Sequence, residues 1–281
     1  MDDAAIRCRG LTALHAPGAG VDRLDLEVRR GEVFGFLGPN GAGKSTTIRL
    51  LLDLLRPASG TAEILGIEVR RGGPELRRRL GYLPGDLALF PGATGAEVLA
   101  LFADLHGGRA PLREDVLARL GFPAAALRRA VRTYSTGMRQ MIGLAVALQH
   151  EPEVLVLDEP TTGLDPVVRD AFVGLVRDAR TRGRTVFLSS HVLEEVERTA
   201  DRVGLIATSR LRLVASLEEL RARAPRVVSV VRRDGSLERF EHSGPVAPLL
   251  HALAAEAPHD VRIEPASLDA VFRAALTEAA P

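Results

Sequence analysis

Hydrophobic positions along this chain fall into two periods. "EVFGFLG" at 32–38 is a short apolar run ending in glycine, and Ile48, Leu51, Leu52 and Leu55 then recur at helical spacing. That order predicts a strand, a glycine-rich loop and a helix. From about 86 to 150 the texture changes to Ala, Leu and Arg punctuated by Gly and Pro, which predicts a mainly helical insertion. "VLVLDEP" (154–160) and "TVFLSSH" (185–191) are continuously apolar, the pattern of parallel strands buried on both faces. The core is therefore expected to be α/β. Beyond about residue 216 come "VVSVVRR", a turn at Asp234 and Gly235, "SLERFE", a helix, "VRIEP" and a last helix. The expected organisation is one α/β unit over 1–216 and a small α+β unit over 217–281.

Composition narrows the function classes. Apolar residues make up 46% of the 281 positions, enough for a sizeable core. The formal net charge of +1 carries no clustered basic footprint, so a nucleic-acid partner is not expected. Cys8 is the lone cysteine, and "MDDAAIRCRG" opens with two acids where a secretory leader has basic residues, which fits a cytoplasmic setting. The longest apolar runs fall far short of the roughly 20 residues that cross a bilayer, so a membrane role has to come through a partner.

Lys44 is the only lysine among 37 Lys and Arg residues, and it stands in "GPNGAGKS" at 38–45. A GxxxxGK[ST] loop between strand and helix turns backbone N–H groups toward one point, where the helix N-terminus adds partial positive charge. Gly38, Gly41 and Gly43 permit the backbone shape, with Pro39, Asn40, Ala42 and Thr46 completing the cradle. The compact Lys44 ammonium suits the β- and γ-phosphates of a nucleotide where the wide arginine fork does not. Ser45 offers a hydroxyl to Mg²⁺. Asp158 and Glu159 close a buried strand, where ligands of parallel sheets bind; Asp158 is expected to hold Mg²⁺ and Glu159 to act as general base on water. His191, directly after "TVFLSS", is a candidate γ-phosphate contact, since a neutral imidazole can both accept and donate.

"YSTGMRQ" begins a helix whose apolar face is Met138, Met141, Ile142, Ala145 and Leu148, with Ser135 at the N-cap. Together with Lys44, Asp158, Glu159, "GLDP" at 163–166 and His191, in this order, it makes residues 5 to about 215 resemble the ATP-binding subunit of ABC transporters. The resemblance implies a phosphate-loop cassette with a mixed or parallel sheet and a helical subdomain at about 86–150, working on ATP and Mg²⁺. It implies head-to-tail pairing, with a second copy or a related cassette, in which Ser135 and the Gly137 N–H donate to the γ-phosphate held by the other cassette. Asp165 then sits in the interface.

Three positions depart from the family pattern. Thr136 replaces the first glycine of the LSGGQ signature. Gly85, followed by Asp86, stands where the family has glutamine after "GYLP", and Asp86 or a water is expected to substitute for it. The adenine-stacking position, usually tyrosine, is assigned to His15, which offers less stacking area. "GLTALH", "GYLPGD" and the tail "EPASLDAVF" resemble the branch with a separate permease, which includes bacterial drug-resistance and antibiotic self-protection exporters of the daunorubicin-resistance kind. That implies a peripheral subunit on the inner face of the cell membrane. The alternative is a soluble ATPase of the same superfamily with a non-transport role.

Overall fold

The structure is a computed structural model describing residues 3–16, 19–223, 226–242, 244–265 and 271–272. It begins with a long pair, β1 (Ala4–Ala16) and β2 (Ala19–Arg29), joined antiparallel. In β2, Leu24, Leu26 and Val28 are buried while Asp25, Glu27 and Arg29 are exposed, the alternation of a sheet with one wet face. β3 (Val33–Leu37) is buried at every position and feeds the glycine loop and α1 (Lys44–Leu51).

The apolar spacing predicts a helix reaching Leu55, but α1 ends at Leu51, and Asp53 takes φ +55°. Pro57 disfavours helical geometry at Arg56, and the chain turns ahead of it. Leu52 and Leu55 still pack against the core without belonging to the helix.

Next come β4 (Ser59–Ile64), β5 (Ile67–Glu68), α2 (Gly73–Arg78) and β6 (Leu80–Leu83). The segment between β6 and the next strand is helical: α3 (Gly95–Leu105), opened by a Thr94/Glu97 capping box, then α4 (Arg113–Arg119) and α5 (Thr136–Leu148). The sequence predicts one apolar face for α5, whereas Ile142–Leu148 are buried all round. The helix runs between β6 on one side and α3 and α4 on the other, so it has no wet face over its second half. β7 (Val154–Asp158), α6 (Pro166–Thr181), β8 (Thr185–Ser190), α7 (Leu193–Thr199), β9 (Arg202–Ala207) and β10 (Arg210–Ser216) complete the unit.

Six strands form one sheet in the order β10-β9-β3-β8-β7-β6, and four form a second in the order β2-β1-β4-β5. β3 runs parallel to β8 and β9, and β7 runs parallel to β6 and β8. Phe34 stacks on Phe187 at 5.9 Å, and Phe36 meets the same ring at 5.3 Å, within a core that also takes in Ile48 and Leu51 of α1.

A second compact unit begins at Ala215 with α8 (Leu217–Arg223). Its sheet places β11 (Arg226–Val231) between β12 (Leu237–His242) and, after α9 (Val246–Glu256), β13 (Asp260–Pro265). Both neighbours are antiparallel to β11. Val228, Val230 and Leu253 make its core, with Phe240 and Ile263 packed against them. The expected last helix lies outside the described residues, apart from helical 271–272. Among the described residues no helix is long and apolar enough to cross a membrane.

Just past α5, buried His150 stacks on His106 with ring centroids 3.6 Å apart, and its Nε2 lies 3.0 Å from the Leu80 carbonyl. Burial, followed by the neighbouring His106, lowers the His150 pKa from 6.5 to about 4. The unfolded chain then binds this proton more readily than the folded one. Stability is therefore unaffected above 6.5 and declines as pH falls toward about 4, by on the order of 3 kcal/mol in all. Melting temperature should fall across that interval, and His150→Phe should flatten the slope; a wild-type profile with no slope there contradicts this assignment.

Candidate functional site

β8 lies between β3 and β7, so three strands distant in sequence finish side by side. Leu37 is level with Ser190, and Asp158 with Ser189. The segments that follow them, carrying Gly38, Glu159 and His191, leave the sheet at one edge, where parallel sheets bind ligands.

Gly43 precedes α1 with φ +115°, and a Cβ there would lie 2.1 Å from the Gly20 carbonyl oxygen, so only glycine fits. Pro39, Asn40, Gly41 and Ser45 are exposed, while Gly38 and Ala42 are buried. Lys44 is 6% exposed. Its Nζ donates to the Gly38 carbonyl (2.7 Å) and the Pro39 carbonyl (3.4 Å), and pairs with Glu159 Oε1 at 3.4 Å. His15, at the end of β1, has Nε2 3.4 Å from Thr46 Oγ1, so the structure brings it to the rim of the loop.

Asp158 is buried, and its Oδ1 accepts a hydrogen bond from Ser189 Oγ. Adjacent strand residues would point to opposite faces, but Glu159 takes φ +51° and leaves the strand. Its N–H donates to the Ser189 carbonyl and to Ser189 Oγ, each at 3.2 Å. The Glu159 carboxylate thereby reaches across to β8, with Oε2 2.7 Å from His191 Nδ1. One carboxylate bridges the lysine of the loop and the histidine after β8.

Ser135 caps α5, its Oγ accepting from the Met138 N–H at 3.2 Å. Thr136, the departure from the signature, accepts from Arg139 Nη2 at 3.2 Å, and the Ser135 cap is formed beside it. Asp165 is exposed and caps α6, Oδ1 accepting from Val168 N–H at 3.0 Å. Ser135, Gly137 and Asp165 make no hydrogen bond or ion pair with Lys44, Glu159 or His191. Gly137 instead approaches the turn after Glu159 so closely that a Cβ would sit 2.9 Å from the Gly163 carbonyl oxygen.

Two residues of the site escape sequence reasoning. Ser189 hides inside an apolar run, its only signal being a hydroxyl pair at a strand end. Gln140 is polar on a helix, yet it is buried and donates to the Pro160 carbonyl at 2.9 Å.

A glycine loop closing on a buried lysine between a parallel strand and a helix, with an acidic pair on a nearby parallel strand, defines a phosphate-loop nucleotide-binding protein. The model of the ABC transporter family matches residues 21–162. A daunorubicin resistance ATP-binding protein of Streptomyces coeruleorubidus is 41% identical over 242 residues, 84% of this chain and 77% of its own length. A bacitracin transport ATP-binding protein of Bacillus licheniformis is 38% identical over 208 residues, 73% of this chain and 68% of its own. The solved ATP-binding subunit of an ABC transporter superimposes with a TM-score of 0.72 at 28% identity, covering 77% of this chain and 92% of that one. The chain belongs to the ABC transporter family as an ATP-binding ATPase subunit.

Gly85 lies against Asp158: a Cβ there would be 3.1 Å from Oδ2, and no left-handed φ bars a side chain. Asp86 beside it is exposed. Gly85→Gln should raise the ATPase rate and Asp86→Ala lower it, each by roughly threefold. Unaltered rates in both variants would remove any role for this segment in hydrolysis.

Proposed function

We propose that this subunit powers efflux of a small molecule such as a drug or antibiotic through a separate membrane permease, working as one of a head-to-tail pair of cassettes. The observation that carries the hydrolytic part is the Glu159 carboxylate, held between Lys44 Nζ and His191 Nδ1 at the sheet edge. The export part rests on relatives at 41% and 38% identity whose names are daunorubicin resistance and bacitracin transport ATP-binding protein.

In this reading the loop amides and Lys44 hold the β- and γ-phosphates of ATP, and His15 lies against the base. The donors beside them suit a hard cation: Ser45 is exposed, and Asp158, whose Oδ1 is engaged by Ser189, keeps Oδ2 available. Ser45 and Asp158 would hold Mg²⁺, which neutralises phosphate charge when bound. Glu159 takes the proton of the attacking water as general base, and His191, hydrogen-bonded to it, fixes its orientation and contacts the γ-phosphate. Ser135 and the Gly137 N–H of each copy donate to the nucleotide of the other, with Asp165 in the interface. ATP thus binds the closed pair better than the open one, and hydrolysis releases it. The subunit acts at the inner face of the membrane, attached through its permease.

Glu159→Gln should keep ATP binding, lose turnover by about 100-fold or more, and accumulate a nucleotide-bound dimer on size exclusion. An unchanged steady-state rate would refute the base assignment. For the export reading, the full-length protein expressed from its own gene cluster should co-purify with an integral membrane protein and be released only by detergent or chaotrope. Recovery entirely in the soluble fraction would favour the non-transport alternative.

A further inference from the structure

Gln140 lies one turn inside α5, three residues from Gly137 and four from Thr136, so it shares a face with the helix tip. It is 7% exposed, and its amide Nε2 donates to the Pro160 carbonyl at 2.9 Å and lies 3.4 Å from the Glu159 carbonyl. Those two peptides follow Asp158 directly and carry the left-handed turn that swings Glu159 off the strand. Pro160 is buried, so its carbonyl needs a donor within the protein, and Gln140 supplies one. Glu159 is therefore held from two sides: its N–H by Ser189 of β8 and its carbonyl side by Gln140 of α5. The second hold is reinforced one turn away, where Gly137 and Gly163 touch through backbone.

We infer that Gln140 is a positioning residue for hydrolysis. Through its bond to the 159–160 peptides it ties the set of Glu159 to the position of the Ser135–Gly137 helix tip. This rests on the roles proposed above for Glu159 and for the tip. The tip grips the nucleotide of the opposite cassette, whereas Glu159 serves the nucleotide of its own. One buried amide therefore links the two sites through a single chain: a tip drawn onto the facing triphosphate carries Gln140 with it and sets the turn that aims Glu159. A tip without that contact leaves Glu159 less well aimed.

The test uses full-length protein with ATP as the probe. Gln140→Met keeps the length and removes the donor. Expected are a fall in kcat of about tenfold with the KM for ATP held within about twofold, and a lower Hill coefficient. Ser135→Ala combined with Gln140→Met should cost less than the product of the separate losses, because both act on one path. Gln140→Asn, which keeps the amide one methylene short, serves if the methionine variant folds poorly, and rates are referred to folded protein by circular dichroism. Unchanged kcat, multiplicative losses in the double variant, or a fall in kcat with an unmoved Hill coefficient would each overturn the inference. Wild-type protein that neither binds nor hydrolyses ATP would instead overturn the functional reading beneath it.

Discussion

An ammonium group shut away from water must find oxygen partners inside the protein or pull its surroundings apart. Lys44 finds them in the carbonyls of Gly38 and Pro39, so the loop that carries the charge also folds around it. The carboxylate of Glu159 adds a formal counter-charge from the turn that follows β7. That contact requires β7 to finish near β3 with only β8 between them, and β8 in turn supplies both Ser189 and the segment bearing His191. The sheet order is thus the reason that side chains more than a hundred positions apart converge. Phe34 stacked on Phe187, with Phe36 tilted against the same ring, packs β3 closely to β8.

Much of this was legible in the residues. Unbroken apolar runs reported strands buried on both faces, and β3, β7 and β8 are buried throughout. The glycine loop marked its own place because few backbones other than a phosphate cradle require that spacing. Periodicity failed where it reported burial without hydrogen bonding: Leu55 faces the core from beyond the end of α1. In α5 the same signal understated the environment, since small residues such as Gly143 and Ala147 pack against neighbours on the side taken for solvent.

What could not be read was the conformation at single residues fixed by distant partners. The left-handed turn at Glu159 depends on Ser189, thirty positions onward, and on Gln140, nineteen positions back. A polar residue in a helix reads as a wet one until its buried acceptors are known. The Gly85 position shows the same limit from the other side: its meaning comes from Asp158, which no local pattern places next to it.

The burial of Lys44 carries a practical corollary. As the only lysine in the chain, it is the sole side-chain amine, and it sits under a loop at 6% exposure. Acetyl or ubiquitin groups that cells attach to lysine ε-nitrogens have nowhere else on this polypeptide to go. Covalent labelling of that nitrogen would therefore report directly on how often the loop opens, with no background from any other lysine.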